Sequence, residues 1–170
     1  TGPDVHRVMP HHFANALLLC RNLARSGCRR IGLVMAADHD VRSGQGFSAA
    51  VMWHGANEAA HVIPPLVAAE VGPAELRQWF GRERPDAIIT NELSSARECA
   101  RSLGQKIGGA VRFAVTSLIG EKPEGISGID ERPGEIGGTA AEMLAGLIER
   151  RVRGQPEAAN ATLLNGRWVA

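Results

Sequence analysis

Residues 29–47 read RRIGLVMAADHDVRSGQGF. After its two arginines the opening RRIGLVM is almost continuously apolar, far too short to span a membrane and without the alternation of a half-exposed strand. It predicts a strand over 29–35 that is buried on both faces, as in the middle of a parallel sheet. The tail carries Arg42 and two close glycines and is expected to be a loop leading into a helix that opens near Gly46. Gly44, Gly46 and Ala49 spell G-x-G-x-x-A, the outline of a dinucleotide fingerprint. A working fingerprint sets its first glycine in the turn directly after the strand, so that a pyrophosphate meets the helix N-terminus. Here the eight residues Ala36–Ser43 intervene, and the nearest acid for a ribose, Glu70, follows two prolines. The pattern argues against a nucleotide, and no cofactor is expected.

The flanks repeat one theme. HFANALLLCRNLARS (12–26) places Phe13, Ala16, Leu17, Cys20, Leu23 and Ala24 at helical spacing, with Gly27 as a stop. A second helix is expected from Gly46 to about Asn57, and AHVIPPL (60–66) reads as an edge strand cut short by Pro64 and Pro65. GPAELRQWFGRER (72–84) is helical with Pro73 near its first position, PDAIIT (85–90) is a strand, and 92–103 is a helix closed by Gly104. VRFAVTS (111–117) is the next strand, and 119–133 is a long loop with a short extended piece around ISGI. In the helix over 134–152, Ile136, Ala140, Met143, Leu147 and Val152 share one apolar face. The Asn-Gly pair inside ATLLNGRWVA (161–170) predicts a hairpin. Helices alternating with short apolar strands define an α/β fold, a mostly parallel open sheet with helices on both faces.

Composition narrows the function. Nineteen Lys plus Arg against eighteen Asp plus Glu leave a net charge of +1, so the chain has no basic footprint for nucleic acid of its own. Cys20, Cys28 and Cys99 are odd in number and lack C-x-x-C spacing, which indicates neither a disulfide framework nor a zinc cluster. No long uncharged apolar run occurs, so neither a membrane span nor secretion is expected, and the composition suits the cytoplasm.

In open α/β sheets ligands bind beyond the carboxyl ends of the strands, where strand order reverses. With a 2-1-3-4 order, that point lies between strands 29–35 and 86–90. Asp38 to Ser43 and Asn91 to Ser94 would face each other across it, with Ser117 alongside. Arg42, Asn91 and Ser117 are therefore candidate ligand-binding residues. An arginine fork and an amide suit a polyhydroxylated or carboxylated small molecule. Arg42 could equally be a solvated loop residue, and Asn91 a helix N-cap. Asp40 of the same loop is a further candidate ligand-binding residue, and with His39 it could act as an acid–base pair. No G-x-S-x-G, P-loop or H-E-x-x-H motif accompanies it, and His11 and His12 are too close in sequence to share a metal, so neither an enzyme nor a metal site is expected.

Taken in order, these segments resemble the effector-binding core of bacterial transcription regulators of the LacI/GalR (lactose-repressor) family. HHFANALLLCRNLARSGCRRIGLVM (11–35) is similar to that family's helix, glycine and (H/Y)RRI strand. An arginine-bearing loop then runs into Gly46-Phe47. RPDAIITNELSSA (84–96) is similar to its P-D-A-I-x-x-x-N-D block, ISGIDERPGEIGGTAAEML (126–144) to its I-x-Q-x-x-x-x-I-G-x-x-A block, and QPEAANATLLNGRWV (155–169) to its ending. The resemblance implies a periplasmic-binding-protein-like fold of Rossmann-like subdomains. Residues 1–170 would be the effector-binding domain, mainly its C-terminal subdomain, with 131–152 crossing to the N-terminal one. A helix-turn-helix headpiece would lie outside this chain.

It further implies a ligand-responsive regulator, a repressor, that binds a small polar molecule or sugar between the subdomains, forms a homodimer, and meets operator DNA through the headpiece. Arg42 stands one place earlier than the family's arginine, and Ile119 follows Ser117-Leu118 where an aspartate is usual. His11 holds the place of an Asp or Asn and joins the candidate ligand-binding residues by that correspondence. Two missing carboxylate positions argue against an ordinary hexose. The alternatives of different class are a periplasmic-type sugar-binding protein and a small α/β nucleotide-binding enzyme.

Overall fold

Eight strands and six helices alternate along the described residues of the computed structural model, which are 4–59, 61–118, 120 and 124–170. In chain order they are β1 (Arg7–Pro10), α1 (His12–Arg25), β2 (Ile31–Ala36), α2 (Ala37–Arg42), α3 (Gly46–Asn57), β3 (Leu66–Ala68) and α4 (Pro73–Glu83). There follow β4 (Ala87–Thr90), α5 (Leu93–Ser102), β5 (Arg112–Val115), β6 (Ile126–Asp130), α6 (Pro133–Glu149), β7 (Ala161–Leu164) and β8 (Arg167–Val169). The larger sheet has the order β3-β2-β4-β5-β6-β8, parallel throughout except where β8 runs against β6. Its first four strands stand in the expected 2-1-3-4 order, with reversal between β2 and β4.

The apolar run of β2 is buried because the sheet is covered twice. On one face Leu33, Met35, Ile89, Ala114 and Ile129 pack with Leu19, Leu23 and Phe47 from α1 and α3. On the other, Val34, Ile88, Phe113 and Val115 pack with Leu76, Trp79, Ala96 and Cys99 from α4 and α5. Burying each large apolar side chain contributes about 1.5–3 kcal/mol. The amino ends of β2 and β4 are joined by Asp86, whose carboxylate accepts the backbone N–H groups of Arg29 at 2.7 Å and Arg30 at 2.9 Å. The site gathers beyond the carboxyl ends of the strands.

Four expectations need correcting. The edge strand begins at Leu66, after Pro64 and Pro65 and not before them, because proline has no N–H for the ladder; Leu66 to Ala68 pair with Val34 to Ala36. Residue 60, where that strand was expected to start, lies outside the described residues. The expected loop after β2 is the short helix α2, which leads through Gly44 and Gln45, both at positive φ, into α3. The extended piece at ISGI is a full parallel strand, β6. The expected hairpin is absent: β7 pairs with β1 and β8 with β6, in two different sheets. Gly166 passes between them where a Cβ would stand 2.3 Å from Ile129 Cγ2 and 2.8 Å from the Asp130 carbonyl oxygen. The Asn-Gly pair therefore serves a close crossing and not a tight turn.

β1 and β7 form a two-stranded parallel sheet beside α6. Neither core contains a residue of these three elements, and no residue of α6 is fully buried. Leu144, Ile148 and Val152 are more than half exposed or close to it, at 57%, 66% and 50%. The chain passes between this unit and the large sheet three times, and the passages are bonded together. The N–H of His11 donates to the Leu164 carbonyl at 2.8 Å, the guanidinium of Arg132 to the Asn165 carbonyl at 3.2 Å, and the N–H of Gly166 to Asn15 Oδ1 at 2.8 Å.

Candidate functional site

The carboxyl ends of β4, β5 and β6 bring Asn91, Ser117 and Glu131 together. Ser117 donates its backbone N–H to the Asn91 carbonyl at 3.1 Å, and Thr116 adds a hydroxyl bond of 3.2 Å to the same oxygen. The Ser117 hydroxyl donates to Glu131 Oε2 at 2.7 Å. From the start of α1, His12 Nδ1 lies 3.8 Å from Glu131 Oε1. The His12 ring tilts against Phe47 with centroids 4.9 Å apart, and His39 of α2 stacks on Phe47 at 5.8 Å. A half-buried carboxylate, a hydroxyl, an amide residue and imidazoles thus line one mouth. Such a set offers hydrogen-bond acceptors and donors to a small polar ligand.

Of the five residues expected from sequence, the structure brings Asn91 and Ser117 together. Asn91 is not the N-cap of α5; that position is Glu92, which makes no side-chain cap bond. Asn91 instead lines both this mouth and a neighbouring cavity of about 630 Å³ walled by Val34, Glu70, Leu76, Ser94 and Glu98. His11 caps α1, its Nδ1 accepting from the Ala14 N–H at 3.3 Å, so its neighbour His12 is the residue beside Glu131. Asp40 is buried, with one oxygen accepting the Ser48 hydroxyl at 2.6 Å and the other the Ser48 N–H at 3.2 Å, which anchors the first turn of α3. Arg42 is 70% exposed, 3.6 Å from Asp38 and 3.2 Å from His39 Nδ1, and reaches the group only through that imidazole. Ile119 lies outside the described residues. Glu131 and His12 were missed, although Glu131 occupies the glutamine place of the I-x-Q block.

Two histidines are held below the ordinary imidazole range. Burial is the first cause for His12, opposed by Glu131 and reinforced by His39 and His11. Burial is also first for His54 of α3, opposed by Glu58 and reinforced by Arg21. Because the fold favours their neutral forms, their contribution to stability is complete above the unfolded value of about 6.5 and is lost as pH falls through the lower folded values. The urea midpoint is expected to drop between about pH 7.5 and 5.5. Equal midpoints would show that both imidazoles titrate as they do in the unfolded chain. The cysteines are free and buried, and burial pushes the Cys99 thiol up to about 11 and Cys20 to about 12, so both are inert at neutral pH. Among the described residues, no helix is long and apolar enough to cross a membrane.

A doubly covered parallel sheet with polar side chains converging beyond its strand ends is the architecture of an open α/β domain with its crevice at the carboxyl ends of the strands. The chain belongs to the periplasmic binding protein-like domain family, whose model matches residues 20–170. In solved structures the same fold is found in LacI-family transcription regulators. A protein of Burkholderia thailandensis assigned as a ribose operon repressor is 22% identical, with a TM-score of 0.69 over 99% of this chain and 64% of its own. A LacI family regulator from Enterococcus faecium with bound ribose is 16% identical, with a TM-score of 0.67 over 100% of this chain and 66% of its own. The Lac repressor dimer bound to operator and the anti-inducer ONPF is 13% identical, with a TM-score of 0.71 over 98% of this chain and 52% of its own. At these identities the likeness is one of fold, and the chain spans less than two thirds of those proteins' length. No curated protein matches it in sequence.

Proposed function

We propose that this chain is the effector-binding domain of a LacI/GalR-type transcription regulator, most of it the C-terminal subdomain. Residues 131–152 then carry the chain into the N-terminal subdomain, a division supported by α6, β1 and β7 standing outside both cores. The observation that carries the proposal is the meeting of Asn91, Ser117, Glu131 and His12 beyond the ends of the parallel strands. A small polar ligand held there favours one orientation of the α6 unit over another, and does so only through different affinities for the two states. In a cytoplasmic homodimer, that shift alters the spacing of two headpieces on operator DNA. No catalytic step is involved.

Calorimetry with neutral pentoses and hexoses, ribose first, tests the placement of the site. Ser117→Ala and Asn91→Ala are each expected to weaken binding by about 2- to 10-fold, the worth of one hydrogen bond. Arg42→Ala should have a smaller effect, since its guanidinium is already engaged by Asp38 and His39. A sugar that binds all three variants as it binds the parent would place the effector elsewhere.

A further inference from the structure

Among the described residues, one polar atom of the crevice has no partner. His12 Nδ1 is buried and makes no hydrogen bond, and its nearest acceptor, Glu131 Oε1, is 3.8 Å away, beyond bonding reach. The other carboxylate oxygen is taken by Ser117. The His12 ring is confined by Phe47 beside it, and its Cβ lies 3.3 Å from where a side chain on Gly46 would begin. The titratable groups that face it are Glu131 from the β6–α6 junction, His39 from α2 and His11 from the start of α1. Only the first favours a proton on His12, and the positive end of α1 opposes one.

We propose that a hydrogen-bond donor on the ligand and the proton of a charged His12 compete for Glu131 Oε1, so that the crevice selects neutral or amine-bearing polyols and releases them in acid. The proposal rests on the effector-site assignment above and adds to it the chemistry of the ligand. A carboxylate only accepts hydrogen bonds, so a ligand hydroxyl or ammonium can meet the free oxygen, whereas a ligand carboxylate or phosphate is repelled by it. When His12 is neutral, Oε1 keeps its full charge for the ligand. When His12 gains a proton, the 3.8 Å gap becomes an ion pair, and the charge offered to the ligand is satisfied from within the protein.

The test uses the intact protein and four probes: D-ribose, D-galactose, D-galactosamine and D-galacturonate. D-Ribose is expected to bind, and among the three hexose probes galacturonate is expected to bind the weakest. Affinity should fall with acid, approaching about tenfold per pH unit below the His12 value. His12→Gln should flatten that profile whatever its affinity at neutral pH, and Glu131→Gln should abolish the preference against galacturonate. Galacturonate binding as well as galactose, or a flat pH profile in the parent protein, overturns the proposal alone. Failure of every probe at every pH overturns it together with the effector assignment. Without any ligand, the His12 ring followed by NMR should titrate at still lower pH in Glu131→Gln; an unchanged titration removes the pair itself.

Discussion

Phe47→Ala is expected to lower the stability of the domain by about 3–5 kcal/mol, read as a large fall in the urea midpoint with little change in slope. Phe47 is 2% exposed and belongs to the core formed by β2, α1 and α3. Its ring also separates His12 from His39, at 4.9 Å and 5.8 Å. Removing it leaves a cavity beneath the crevice, so the two imidazoles lose their common wall. Sugar affinity is expected to fall along with stability. Phe47→Leu keeps much of the volume and serves as the control: it should recover most of the stability but not the stacked ring. A loss under about 1 kcal/mol for the alanine variant would mean that the ring is not packed as described.

The second large effect is expected on the opposite face. A Cβ at Gly32 would stand 2.5 Å from Trp79 Cη2 and 2.7 Å from Cζ2. The indole cannot swing aside cheaply, because its Nε1–H donates to the Pro64 carbonyl at 2.8 Å and the residue is 3% exposed. Gly32→Ala is expected to cost about 1–3 kcal/mol by overpacking, and Gly32→Val more. Trp79→Leu in the Gly32→Ala background should recover part of the loss, although Trp79→Leu alone is destabilising. Such a gain in the double variant is the signature of two residues sharing one space. Simple additivity of the two losses would show that the close approach of β2 and α4 is not what demands glycine.

Periodicity and apolar runs were enough to read most of the large sheet. IGLVMA, AIIT and RFAV are buried on both faces, and only a central parallel strand has that environment, so length and composition identify it. The 2-1-3-4 order taken for an open α/β sheet placed Asn91 and Ser117 at one mouth. Local signals failed where tertiary contacts decide. LLNGR carries a hairpin signature, yet β7 finds its partner in β1, more than 150 residues earlier in the chain. Val67 and Ala68 lie past two prolines and look like loop, but they complete the edge of the sheet beside β2. Arg42 drew attention because guanidinium is a strong ligand for polar molecules, whereas a helical turn carries it to solvent beside Asp38. The carboxylate that does face inward, Glu131, looked like part of a solvated loop. Only the strand that precedes it shows otherwise.

The three bonded passages at His11, Arg132 and Asn165–Gly166 have a mechanical consequence. They act as one pivot rather than three loose strings, because each is fastened to another or to α1. Glu131 and His12 sit at its edge, one residue from the passages at Arg132 and His11. If the proposed effector binds there, it pushes on a very short lever arm, and a slight displacement beside the fulcrum would sweep the far end of α6 through a much larger arc.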